Sequence, residues 1–222
     1  MSPAQCACAM CLAWSADPPP RLNSWPAQAA ASSELAKVLG SAPRRRVVAL
    51  EDAPRFEATD PALCDFFEAQ GFAIVRDACG PAELSTLREL LWAHLGEACG
   101  MVRGDPDTWR SRYDGPAHLG LFTWGHTGQS ALMWHARRLA AVGAAFETCW
   151  RLPGGAPMLV SFDGAAVFRP PQLESSWATQ PALGWLHVDQ GATKRGLAGI
   201  QGQLLLWDQV RSCGMELTDC TH

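Results

Sequence analysis

The stretch TDPALCDFFEAQGFAIVRDACGPAELSTLRELLWAHLG, residues 59–96, sets the reading of the fold. Its first third predicts a short helix. Asp60 is placed to cap it, Pro61 stands at the first helical position, where a missing N–H costs nothing, and Gly71 supplies the stop. Leu63, Phe66 and Phe67 form the apolar side of that helix. FAIVR (72–76) then predicts a buried strand, a short apolar run bounded by a glycine and a charge. The last part starts with Pro81 and sets Leu84, Leu87, Leu91 and Leu95 on one face, the spacing of an amphipathic helix. His94 in this helix reads as solvent-facing or as a hydrogen-bonded structural histidine.

Moving toward the C-terminus, residues 98–128 are rich in Gly, Asp and Pro and predict loops, with His118 and His126 on their surface. QSALMWHARRLAAVGAAFETCW (129–150) predicts a second long helix, with Leu132, Leu139, Val142 and Phe146 repeating at helical spacing. Trp134 and His135 read as packing and surface residues of that helix. Beyond RLPGGAP (151–157) the periodicity changes. MLVSFDGAAVFRP (158–170), LGWLHVDQ (183–190) and GIQGQLLLW (199–207) are strand-like and separated by loops carrying Pro, Ser and Gly. Helices first and strands afterwards indicate an α+β protein whose helices brace one side of a sheet or barrel.

Toward the N-terminus, DPPPRLNSWP (17–26) and GSAPRRR (40–46) interrupt any helical pattern, so residues 1–55 are expected to form a disordered leader. Its Ala, Ser and Arg content loosely resembles an organelle transit peptide. Cys6, Cys8 and Cys11 cluster there without a fourth ligand at finger-like spacing, and are read as coincidence. The chain has 18 Lys and Arg against 22 Asp and Glu, a net charge of −4, so no global basic field draws it to nucleic acid or anionic lipid. No window approaches the roughly 18 uninterrupted apolar residues of a membrane-spanning helix. Nine cysteines, an odd number without regular pairing, indicate reduced thiols. The expected location is therefore cytoplasmic, with mitochondrion or plastid as the alternative if the leader is a targeting segment. Nothing in the sequence speaks to oligomeric state.

GWLHVDQG (184–191) carries the candidate site. In a strand, residues i and i+2 project from the same face, so His187 and Asp189 point together while Val188 faces away. An imidazole nitrogen and a carboxylate oxygen, joined by a second imidazole, occupy one face of a ferrous octahedron and leave three positions open. A hydrogen-bonded structural His–Asp pair explains the same residues, and the triplet alone leaves both readings standing.

Several blocks, in order, resemble the phytanoyl-CoA dioxygenase-like family. DFFEAQGFAIVRDACGPAELSTLRELL (65–91) resembles its opening helix, GF-x-x-x-R strand and Pro-started helix. GQSALMWHARRLAAVGAAFETCW (128–150), MLVSFDGAAVFRPP (158–171), GWLHVDQG and GIQGQLLLWDQ (199–209) resemble later blocks. The match spans about residues 60–209, which implies a family domain over 56–210 and a divergent tail over 211–222. The resemblance implies a double-stranded β-helix of the jelly-roll or cupin type with N-terminal bracing helices. It also implies oxygenation of a small organic substrate, with iron(II) as cofactor and 2-oxoglutarate as co-substrate. His187 and Asp189 match the first two iron ligands, while Gln190 and Gln201 are candidates for contact with the co-substrate or with the ligands.

Two family features have no counterpart. The third ligand is ordinarily a His after a PGSH-like segment, followed by an Arg that binds the distal carboxylate of 2-oxoglutarate. Here the residues after Asp189 end in VRSCGMELTDCTH, in which neither feature is recognisable. His222 and Arg211 are poor substitutes, and Cys213, Cys220 and His222 lack the spacing of a zinc cluster. The expectation is thus a β-helix incomplete at its C-terminus, in a truncated or alternatively ended member whose catalytic competence is in question. The alternative is a non-catalytic homologue acting as a binding or regulatory protein.

Overall fold

Helix α1 (Pro61–Gln70) forms where the local signals are densest. The Asp60 carboxylate accepts a hydrogen bond from the Ala62 N–H at 2.9 Å, and Pro61 opens the first turn. At the other end Gly71 adopts φ 77°, which a side chain would disfavour, and its N–H closes on the Phe67 carbonyl. Leu63, Cys64 and Phe67 are buried, and Phe66 lies partly buried between the rings of Phe56 and Phe72. Helix α2 (Pro81–Cys99) buries Leu84, Leu87, Leu91 and Leu95 as the spacing requires, together with His94 and Cys99. Its N-terminus is closed by the Glu83 carboxylate, which accepts from the Gly80 N–H at 2.8 Å.

The computed structural model describes residues 52–110, 121–123, 125–162, 164–170, 172–177 and 199–207. The leader up to residue 51, His118, the run 183–190 with His187, Asp189 and Gln190, and the tail 211–222 with Arg211, Cys213, Cys220 and His222 all lie outside the described residues.

Strand β1 (Arg55–Phe56) pairs in parallel with β2 (Ile74–Val75), Arg55 opposite Ile74 and Phe56 opposite Val75. The buried strand expected over 72–76 is present, with Phe72 to Val75 all buried and the ladder confined to its two central residues. Its partner β1 starts at Arg55, so packed structure reaches into the last residues of the stretch expected as leader. Ala53, Phe56 and Ala58 are each buried. Two adjacent residues carry no readable period, and a strand this short exists only because its partner supplies the hydrogen bonds.

The long helix expected over 129–150 is two helices, α3 (Ala131–Arg137) and α4 (Ala140–Cys149). Arg138 ends the first, its N–H shared between the Trp134 and His135 carbonyls, and Leu139 takes extended backbone at φ −62°, ψ 128°. No proline or glycine stands at the break. Packing accounts for it. α3 lies on α2, whereas α4 lies on α1, so one straight rod would not serve both seams. Leu132 and Leu139 join the cluster built on Leu87, Leu91, Leu95 and Phe122, while Ala145 and Cys149 join the one built on Leu63, Phe67 and Val75. Val142 touches both.

Strand character in the C-terminal half is expressed unevenly. Of 158–170, Ala165–Ala166 forms strand β4, antiparallel to β3 (Leu121–Phe122), with Phe122 opposite Ala165. Residues 158–162 and 199–207 carry no ladder among the described residues, although both read as strands in the sequence. Within 199–207 the three leucines nevertheless pack alternately. Leu204 and Leu206 pack on the α2 cluster, and Leu205 packs on the cluster of Ala53, Phe72 and Ile74. The described architecture is thus mixed, helices with small sheets, and leaves the expected β-helix as an expectation.

Close approach at the β3–β4 pair explains Gly164. A Cβ there would meet the Phe122 carbonyl oxygen, with the Thr123 methyl at 2.8 Å and the Phe122 carbonyl carbon at 3.0 Å. Backbone cannot yield as a flexible side chain does, so Gly164→Ala should cost about 1–3 kcal/mol. A urea titration in which the variant keeps the parent's midpoint would contradict this placement.

Candidate functional site

Of the candidate site residues, Gln201 lies within the described structure. It is exposed, on the segment 199–207 that is fastened across α2. Arg88 on α2 makes that attachment twice over. Its Nε donates to the Leu206 carbonyl at 2.8 Å, and its guanidinium lies 5.0 Å from the centre of the Trp207 ring. A charge-assisted bond to backbone plus a cation–π contact fixes an irregular segment more firmly than apolar packing alone. Gln201 therefore extends from an anchored segment with its amide free to meet solvent or a ligand.

The first of the strand-like segments, 158–170, is fastened by two other arginines, Arg137 of α3 and its own Arg169. Arg137 donates to the Gly128 carbonyl at 2.7 Å and the Ser161 carbonyl at 3.0 Å, and its guanidinium lies over Trp134 and Phe162. Arg169 donates to the Trp109 carbonyl at 2.9 Å and covers the Trp177 ring at 4.6 Å. Sequence reading passed over Arg88, Arg137 and Arg169. Each works by reaching a carbonyl in a segment remote in the chain, which leaves no local signature.

The described histidines do not converge. His94 is buried, with Nε2 2.8 Å from the Thr127 hydroxyl and its ring edge-on to Phe122, so it is the hydrogen-bonded structural histidine of the two readings. His126 is exposed in a turn at φ 58°. His135 is half-buried, and its Nε2 is shielded from solvent with no hydrogen-bond partner among the described residues. Trp134 is exposed, its indole N–H donating to Gln129. Among the described residues no group of three or more His, Cys, Asp or Glu side chains is arranged to hold a metal ion.

Burial holds the His94 pKa below the ordinary histidine value, opposed by the nearby Glu97 carboxylate. The folded state thus favours the neutral ring. Its contribution to stability is complete above about pH 6.5, the unfolded-state value, and is lost as pH falls through the lower folded-state value. Stability measured by thermal melts should decline on acidification below about pH 6.5, and His94→Gln should flatten that part of the profile. An unaltered pH profile in the variant would assign the decline to other groups.

No helix among the described residues is long and apolar enough to cross a membrane. Comparison of the chain with protein-family models, with curated proteins and with solved structures finds no match.

Proposed function

We propose that this chain is a phytanoyl-CoA dioxygenase-like protein that binds iron(II) through His187 and Asp189 and acts on 2-oxoglutarate and a small organic substrate. The observation that carries the reading is the order of the sequence blocks. The opening helix–strand–helix, the helical run 129–150, the strand-like 158–170, GWLHVDQG and GIQGQLLLW follow one another as in that family. A lone His-x-Asp triplet has no such weight.

The chemistry of the donor set fits the metal, since one imidazole and one carboxylate are two of the three protein donors of a non-haem iron(II) oxygenase site. When bound, the iron and 2-oxoglutarate supply oxygenation of a C–H bond coupled to release of succinate. The protein's own part is to hold the donors and to orient what binds beside them. Gln190 and Gln201 are assigned to the co-substrate or to hydrogen bonds that steady the ligands.

The second reading is a non-catalytic homologue acting as a binding or regulatory protein, in which His187 and Asp189 hold a metal without turnover. One pair of measurements separates the readings. Iron(II)-dependent release of succinate from 2-oxoglutarate supports the oxygenase. Binding of cobalt(II), followed by its visible absorption, without any succinate release supports the binding protein. Absence of both refutes the iron assignment itself.

A further inference from the structure

Two buried thiols meet where α1 packs on α4. Cys64 is 2% exposed and Cys149 is 3% exposed, and the Cys64 Sγ donates to the Cys149 carbonyl oxygen at 3.4 Å. Two covalent bonds separate that oxygen from the Cys149 Cα, so the Cys64 sulfur lies within about 6 Å of it. A disulfide needs Cα atoms about 4.4–6.8 Å apart. The Cys64 Cα is two further bonds from its sulfur, so the contact bounds the Cα–Cα separation at about 9 Å, and the end of α4 has to shift toward α1 for the bond to close. The small side chains that α4 presents to this cluster, Ala141, Ala144 and Ala145, leave room for that shift. The pair is also held in place from outside. Arg151, directly after α4, donates to Asp65 and to Glu68 of α1, both at 3.0 Å, and Glu68 lies 3.7 Å from the Cys64 sulfur.

We propose that Cys64 and Cys149 form an oxidation-gated crosslink that locks α1 to α4. The inference is independent of the iron reading. The oxidant is a small-molecule disulfide such as glutathione disulfide. The Cys64 thiolate attacks it, forming a mixed disulfide and releasing one glutathione thiolate. The Cys149 thiolate then attacks the Cys64 sulfur and releases the second. Two electrons pass to the oxidant, and the two protons lost from the cysteines end on the two glutathiones.

Burial supplies the gate. It pushes the Cys64 thiol above the ordinary range, aided by Glu68 and opposed by Arg151, and it pushes Cys149 up to about 12, with Cys64 contributing. Protonated thiols are poor nucleophiles, so the packed helices keep the pair reduced and the crosslink forms as the end of α4 opens. Cys99, buried with its Sγ donating to the Leu95 carbonyl at 3.0 Å in α2, belongs to the other cluster.

The test equilibrates the purified full-length chain in buffers of increasing oxidised-to-reduced glutathione ratio. Remaining thiols are then alkylated under denaturing conditions and peptides are mapped without reduction. The expected result is a linked peptide pair containing Cys64 and Cys149. It should come with a rise in melting temperature of about 5–10 °C that dithiothreitol reverses, since the bond closes a loop of roughly 85 residues. Cys149→Ser should lose the rise and Cys79→Ser should keep it. If Cys149→Ser does not fold, the peptide map of the unaltered chain decides alone. Alkylation of both cysteines at the most oxidising ratio, or their pairing with other cysteines, would overturn the proposal.

Discussion

Substituting His187 by alanine is expected to bring iron(II)-dependent succinate release down to the level without protein and to weaken cobalt(II) binding by at least about 100-fold. The reasoning begins with donor number. The proposed site has one imidazole and one carboxylate within GWLHVDQG, so alanine removes half of the protein donors that the motif supplies. Loss of a group that merely steadies a ligand already costs about 10–100-fold in metal affinity, and loss of a ligand costs more. Asp189→Ala should behave alike. Gln201→Ala separates its two assigned roles: contact with the co-substrate predicts a KM for 2-oxoglutarate raised a few-fold with cobalt binding intact, whereas steadying of a ligand predicts weaker cobalt binding. The paired readouts matter. A structural His–Asp pair would respond to His187→Ala with a lower melting temperature and an unchanged cobalt titration, and that outcome would remove the metal assignment.

How far the sequence discloses this molecule depends on whether each signal is local. The ends of α1 were legible because capping is chemistry within four residues: Asp60 reaches Ala62, and Gly71 reaches Phe67. The buried face of α2 was legible for the same reason, since Leu84, Leu87, Leu91 and Leu95 repeat at the helical period. The division of 129–150 at Arg138 and Leu139 was not, because it answers to two different neighbours, α2 and α1, that the local sequence cannot name. Strands fared worst. The strand-like stretch 199–207 carries no ladder among the described residues, although Leu204 and Leu206 pack on one cluster and Leu205 on another. A ladder is a property of two segments, and β1 shows the converse, a paired strand with no pattern of its own. The candidate site divides similarly. His187 and Asp189 stand out by their spacing in an apolar run, and their weight comes from the order of the surrounding blocks. The arginines that fasten the strand-like segments 158–170 and 199–207, Arg88, Arg137 and Arg169, are visible once their carbonyl partners are known.

The largest effect on stability is expected from Phe67→Ala. Phe67 is 1% exposed and stands where three elements meet, with Leu63 of α1, Phe56 and Val75 of the β1–β2 pair, and Ala145 and Cys149 of α4 in its cluster. Removing a buried ring loses its transfer free energy and leaves a cavity, and the cavity persists when its walls are rigid. Here the walls are backbone-anchored on every side. The ladder holds Phe56 and Val75, the cap holds the end of α1, and the Thr148 hydroxyl donates to the Ala58 carbonyl at 2.8 Å, holding α4 against the chain after β1. Little relaxation is available, so the cost should be about 3–5 kcal/mol. That is a large part of the roughly 5–15 kcal/mol that keeps a domain folded. Phe66→Ala is the comparison. Phe66 is partly buried and edge-packed on Phe72 at 5.7 Å, so it loses less contact and leaves a groove that water fills, and its cost should be about half as great or less. Urea unfolding of both variants measures the difference. Equal losses, or a loss for Phe67→Ala below about 1 kcal/mol, would show that the α1–α4 seam closes over the vacated volume and that this cluster is not rigid.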